Sequence, residues 1–178
     1  MKKNDKIFKS SFKLINDYGL ENFSMRKLAN ELGCQPAAIY YYYHSKDDLL
    51  NDLYISIYNK YFLVKDQEFN SLEEHLYDLY ERVLKHRDEY IFLIHNFKAS
   101  FLYSDSIKQL MKYNRLEFDK IQTYLEKDFN IYDFLIINSS LYYLATSFDK
   151  QYELIKKRNK DFDLKKYVKK IVNAVKED

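Results

Sequence analysis

The chain has 178 residues, the size of one ordinary domain or of a small module joined to a somewhat larger one, and needs neither cofactor nor disulfide to form a core. Apolar residues make up 47% and charged residues 31%, while the only two glycines and one proline (Gly19, Gly33, Pro36) all lie near the N-terminus. This punctuation excludes a hairpin-rich fold and points to an all-α one with long helices. The formal charge of +2 is unevenly spread: residues 1–46 carry eight Lys or Arg against four Asp or Glu, whereas residues 47–178 carry 21 against 23, so the N-terminal part is the candidate for facing a polyanion.

Cys34 is the single cysteine and cannot form an intrachain disulfide, and no apolar signal core follows the opening Met-Lys-Lys-Asn-Asp-Lys. The longest apolar stretches, such as Ile131 to Ile137, are interrupted by Asp133 and fall far short of the roughly 20 residues that span a membrane. A cytoplasmic chain without a membrane partner is expected.

In chain order, Asn4 is placed to cap a first helix in which Ile7, Phe8, Phe12, Ile15 and Tyr18 recur at spacings of three and four, and Gly19 supplies its left-handed stop. Ser24 is a good N-cap for a second helix over Met25 to Leu32, with Phe23 and Leu28 at the positions of a hydrophobic staple and Met25, Leu28, Ala29 and Leu32 on the buried side. Gly33 ends that helix. Only Cys34 and Gln35 separate it from Pro36, a residue favoured at the first position of a new helix because its missing N–H would be unpaired there anyway.

Two short helices joined by so brief a glycine-containing turn form a helix-turn-helix, whose second helix can lie in the DNA major groove. In the third helix Ile39 and Tyr43 are expected to point inward, leaving Pro36, Ala37, Tyr40 and Tyr41 outside. Small residues in the first turn let the backbone approach base edges, and hydroxyls one turn later reach phosphate oxygens. Ser45-Lys46-Asp47-Asp48 opens a fourth helix with a cap and two acids, and Lys46 adds positive charge at a helix N-terminus that already attracts phosphate.

The segment FSMRKLANELGCQPAAIYYYYHSKDDLL, with the residues around it from about 5 to 55, resembles the tetracycline-repressor (TetR) family: Ser24, Leu28, Ala29, Gly33, Ile39, Tyr40, Tyr43, Ser45, Lys46 and Leu49 stand at its signature positions. The resemblance implies a helix-turn-helix domain followed by a helical body that binds ligand and dimerises, most members being repressors that a small molecule releases from an operator. It assigns Arg26, Pro36, Ala37, Ala38 and Tyr42 to the base-facing region, and Ser24, Tyr40, Tyr41 and Lys46 to phosphates. Gln35 departs from the serine or threonine that many members place before the third helix, which weakens the cap there. Cys34 replaces a usual valine and reads as a small buried hydrophobe rather than a redox sensor, while His44 reads as a solvated turn residue or phosphate neighbour.

The boundary is set at residue 46, with a helical ligand-binding and dimerisation domain over 47–178 that opens on a linking helix over 47–64. Further helices are expected at Leu72–His86, Glu89–Leu102, Asp105–Lys127, Tyr132–Lys157 and Phe162–Lys176, with Ser71, Ser104 and Asp161 near their starts, about nine helices in all. The helix from Tyr132 is apolar nearly all round and needs cover on two sides. With the amphipathic last helix it can form a four-helix dimer interface, as the resemblance implies, for which Ala145, Phe148, Tyr167, Val168, Ile171, Val172 and Val175 are the candidates. The bland alternative is that these residues only close the chain's own core.

An inducer pocket is expected between Leu72 and Phe148, where His95, Asn96, Tyr103, Tyr113, Asn114, Asn138 and Tyr142 are polar groups on apolar segments; for each, an ordinary core hydrogen bond or exposure is the competing explanation. The four histidines (His44, His75, His86, His95) show no metal-ligand spacing, and neither a phosphate-binding glycine loop nor a nucleophile elbow occurs, which argues against an enzyme. The function expected is a homodimeric, DNA-binding transcription regulator that recognises a double-stranded operator. The alternative is a helical regulator or adaptor that acts through protein contacts without a ligand.

Overall fold

Both glycines adopt the left-handed conformation that ends a helix, Gly19 at φ 82° and Gly33 at φ 66°. The computed structural model describes residues 3–63, 67–96, 108, 112, 115–116, 119–158 and 162–177. Among them lie the helices α1 (Lys3–Tyr18), α2 (Met25–Glu31), α3 (Pro36–Tyr40), α4 (Lys46–Tyr61), α5 (Leu72–Lys85), α6 (Arg87–His95), α7 (Ile131–Arg158) and α8 (Leu164–Lys176), and the described positions 108, 112, 115–116 and 119–122 are helical as well. No strand occurs among the described residues, and none of their helices is long and apolar enough to cross a membrane. The fold is all-α.

The chain divides into two compact units, residues 1–59 with 92–109, and residues 60–91 with 110–178. In the first, Ile7, Leu14 and Ile15 of α1, Leu28 and Ala29 of α2, Ile39 of α3 and Leu49, Leu50 and Leu53 of α4 are buried together with Phe23 and Tyr43. Phe12 meets Phe92 of α6 with ring centroids 5.4 Å apart. Burying side chains of this size is worth roughly 1.5–3 kcal/mol each, which is what holds helices as short as α2 and α3 in shape.

The second unit is built on α5. Its residues Leu72, Leu76, Tyr80 and Val83 recur at helical spacing and are at most 1% exposed, and they pack with the Val168, Val172 and Val175 stripe of α8 and with α7. The Tyr80 hydroxyl donates to the Ile137 carbonyl oxygen at 3.3 Å and lies against Ser140 Oγ, so the tyrosine's one polar atom is satisfied inside the core. Arg82 donates to Asp78 at 2.7 Å and to the Phe62 carbonyl at 2.8 Å, and Arg87 donates to the Ala145 carbonyl.

At the start of α7, Asn130 and Asp133 cap each other. The Asn130 amide N–H donates to Asp133 Oδ2 at 3.0 Å, and Asn130 Oδ1 accepts from the Asp133 and Tyr132 amides. The Asp133 side chain is fully buried and paired with Lys127 at 3.2 Å, so the residue that interrupts the apolar run is part of the helix start.

Several expected boundaries shift. Helix α1 already includes Asn4, which therefore does not cap it, and α8 is capped by Asp163, whose Oδ1 accepts from Lys165 and Lys166, rather than by Asp161. Leu32 is the C-cap of α2 and only half-buried. Ser71 caps α5 as expected, accepting from Glu74. The expected helix over Glu89–Leu102 is observed as α6 to His95, residues 119–122 of the expected Asp105–Lys127 helix are helical, and Ser104 lies outside the described residues.

Burial pushes the Tyr90 phenol up to about 12 and that of Tyr80 still higher. The unfolded chain releases these protons near the ordinary value of 10.0, so the folded chain holds more protons above that pH. The stabilising contribution of Tyr90 is whole below about pH 10 and is lost as the pH rises to about 12. Urea unfolding across that range should show stability falling with pH, and Tyr90→Phe should flatten the fall; an unchanged slope in the variant would assign the alkaline loss to other groups.

Candidate DNA interface

The turn between α2 and α3 is closed by the backbone. The Leu32 amide donates to Leu28, the Gly33 amide to Asn30 at 3.1 Å, and the Cys34 amide back to Ala29 at 2.9 Å. The last of these folds the chain over the end of α2, and at Gly33 a Cβ would be strained by the dihedral and not by crowding, since nothing lies within 4 Å of its position. Pro36 then opens α3. Gln35 precedes it in extended conformation and makes no side-chain cap, as its residue type led one to expect, so the fixed φ of Pro36 and the burial of Ile39 start this helix instead.

At the other end of the motif, Ser24 has φ −144° and its Oγ accepts from the Lys27 amide at 3.2 Å. Phe23 and Leu28 are 3% and 0% exposed, the arrangement of a hydrophobic staple. Ile39 and Tyr43 are buried, and Tyr43 packs against Phe8 with centroids 6.1 Å apart. Its phenol is pushed up to about 12, first by burial and then by the Asp52 carboxylate, which keeps it a neutral core group.

Six of the residues expected to face DNA lie at the surface. Arg26, Ala37, Ala38, Tyr40, Tyr41 and Tyr42 are all exposed, Tyr41 at 81%, and Pro36 and Ser24 are half-buried. Tyr41 and Tyr42 meet edge to face at 5.1 Å, which orients two phenols of one run relative to each other. An open hollow of about 620 Å³ is lined by Asn30, Gly33, Cys34 and Gln35, at the turn between α2 and α3. Asn30 and Lys27 are exposed on the same helix as Arg26 and were not singled out from the sequence, where nothing distinguishes them from any solvated helix face. Cys34 is half-buried.

Lys46, expected as a phosphate clamp at the start of α4, has its side chain half-buried. Its Nζ lies 2.8 Å from both the Leu20 and the Phe23 carbonyl oxygens, and 5.5 Å from the centre of the Phe23 ring. Ser45 caps α4 through its Oγ, which accepts from the Asp48 amide at 3.0 Å.

Of the residues expected to orient an inducer, His95, Asn96, Asn138 and Tyr142 are described. Asn96 donates to the Phe92 carbonyl and Asn138 to the Phe134 carbonyl, each within its own turn, while His95 and Tyr142 are exposed. Tyr103, Tyr113, Asn114 and the side chain of Phe148 lie outside the described residues. Among the expected dimer residues, Ala145, Val168 and Val175 are 0% exposed and Val172 5%, all within a single chain. A side chain already withdrawn from water has no surface left to bury against a partner, so these four belong to the chain's own core. Tyr167, which donates to the Ser140 carbonyl at 3.4 Å, and Ile171 are half-buried. Among the described residues no group of three or more His, Cys, Asp or Glu is placed to hold a metal ion.

The N-terminal unit of this all-α chain presents a helix-turn-helix with a small-residue, tyrosine-rich outer face. Residues 7–53 match the family model described as bacterial regulatory proteins, tetR family. The whole chain has the fold of those regulators. It is similar to a TetR family transcription regulator from Marinobacter aquaeolei VT8 (14% identity, TM-score 0.68, covering 96% of this chain and 91% of the other). It is also similar to the fatty acid degradation regulator FadR from Bacillus halodurans (18% identity, TM-score 0.60, 98% and 95% covered). A third similar structure is BioQ with its natural double-stranded DNA operator (16% identity, TM-score 0.54, all of both chains covered). Comparison with curated protein sequences gives no match.

Replacing the cap should report directly on the first helix of the motif. Ser24→Ala is expected to cost about 1 kcal/mol of stability in urea unfolding, because the Lys27 amide loses its acceptor. A loss below about 0.3 kcal/mol would show that the staple alone holds the start of α2.

Proposed function

We propose that the chain is a one-component transcriptional repressor that binds a palindromic operator as a homodimer and leaves it when a small molecule occupies the helical body. Residues 1–46 read the DNA, and residues 47–178 dimerise and bind the ligand, with the helix after Lys46 joining the two. The observation that carries the DNA reading is the outer face of α3: Ala37 and Ala38 exposed in its first turn and Tyr40, Tyr41 and Tyr42 exposed at its end. The alanines leave room for a close approach to base edges, the exposed Arg26 of α2 is a donor to bases, and Ser24 and the tyrosine hydroxyls supply phosphate contacts.

The outer face of α7 supports the dimer. Ile131, Tyr132, Leu135, Tyr142 and Tyr143 are 47–70% exposed and lie on the side of the helix opposite Ile137, Leu141 and Leu144. A second copy supplies the cover that this helix needs on its other side, and a two-fold pair matches a palindromic site. Ligand binding then favours a separation of the two recognition helices that does not fit half-sites about one helical turn apart.

Two measurements check this. Footprinting with the purified chain is expected to protect a palindrome near a regulated gene, and Ala37→Phe should abolish that protection while the melting temperature stays nearly unchanged; sequence-independent binding alone would overturn the operator reading. In sedimentation, Leu135→Glu with Tyr142→Glu should convert the dimer to monomer. A dimer that persists would place the interface elsewhere.

A further inference from the structure

We infer that Lys46 is a positioning residue for DNA reading, the pin that closes the helix-turn-helix into one rigid element, rather than a phosphate clamp. Its ammonium lies 2.8 Å from two carbonyl oxygens of the loop between α1 and α2, those of Leu20 and Phe23. Both sit between helices, and the Leu20 oxygen also accepts from the Phe23 amide at 3.3 Å, so the ammonium joins the turn that leads into α2. The Phe23 carbonyl belongs to the peptide that joins Phe23 to Ser24, the cap of α2, so the plane of that peptide sets the direction in which α2 begins.

Lys46 is itself the first residue of α4. The contact therefore joins the start of α2 to the start of α4 across 23 positions of sequence, and all of α2, the turn and α3 lie inside the loop so closed. Three features make the join directional. The ammonium has three N–H donors in tetrahedral array, and two of them go to carbonyls three residues apart. The stem is half-buried, and the charge stands 5.5 Å from the centre of the buried Phe23 ring, which favours a cation. The Ser45 cap and the two acids Asp47 and Asp48 fix the turn from which the side chain springs.

A charge held this way acts on DNA through the orientation of α2 and α3. Losing it frees the start of α2, so base-edge contacts lose register while the outer charges that attract any duplex remain. The inference rests on the operator-binding reading, and its test separates the two. Lys46→Met is measured on the footprinted operator and on a random duplex of equal length, over a range of salt, at a temperature where circular dichroism shows the variant folded.

The expected result is a loss of at least about tenfold on the operator, a change within about twofold on random DNA, and an unchanged salt slope. Equal losses on both duplexes with the slope flatter by about one would make Lys46 a phosphate clamp and overturn the inference. Full operator affinity in the variant would overturn it too.

If Lys46→Met does not fold, or if the wild-type chain footprints no operator, nitrogen-15 spectra of the wild-type lysines carry the test. A Lys46 ammonium slow to exchange with water in the DNA-free chain is expected, with the operator adding little further protection where one exists. Fast exchange in the free chain overturns the pin whatever becomes of the operator reading.

Discussion

A left-handed residue between two helices determines the direction in which the second one leaves the first, and here that residue is Gly33, at φ 66°. Its consequence is seen one residue later, where the Cys34 amide turns back to the Ala29 carbonyl and Pro36 can begin α3. Helix α3 has only five residues, too few to persist alone in water. It survives because Ile39 is buried beneath it, together with Tyr43 just beyond its end, and that burial is possible only in the direction Gly33 imposes. The exposure of Ala37, Ala38 and the tyrosine run follows from the same geometry.

The two units solve the same problem with different means. In the N-terminal one, short helices are held by caps, a staple and backbone turns, with Ser24, Phe23 and Gly33 as the agents. In the C-terminal one, a continuous apolar stripe on α5 and α8 does the holding, and the Tyr80 hydroxyl, the Asp133 carboxylate and the Arg82 guanidinium each reach a partner. Local capping suits a small element that must present a defined outer face. Broad apolar contact suits a larger body.

The tyrosines illustrate how one residue type is divided between roles. Tyr43, Tyr80 and Tyr90 have their phenols withdrawn from water and held neutral, whereas Tyr40, Tyr41 and Tyr42 turn theirs outward at the end of α3. Tyr42 and Tyr43 are adjacent in sequence. Both lie beyond the last residue of α3, in the turn where Tyr42 and Tyr43 donate their amides to the Ile39 carbonyl, and one faces solvent while the other enters the core.

Much of this was legible in the residues themselves. Gly19, Ser24, Gly33, Pro36, Ser45 and Ser71 act locally, through their own dihedrals or a side chain reaching three residues on, so their roles follow from type and position alone. Apolar spacing likewise identified Met25, Leu28, Ala29 and Ile39 as inward residues and the last helix as amphipathic. Tertiary structure decided what depends on distant partners. It placed the Lys46 ammonium on the Leu20 and Phe23 carbonyls, 26 and 23 residues away, where the sequence offered only a charge at a helix start. It also settled the two sides of α7, whose apolar residues run nearly all round: packing with α5 and α8 covers Ile137, Leu141 and Leu144 and leaves Leu135, Tyr142 and Tyr143 outside. Periodicity reports that a residue can be buried; only the neighbouring helix, brought in by the fold, determines whether it is.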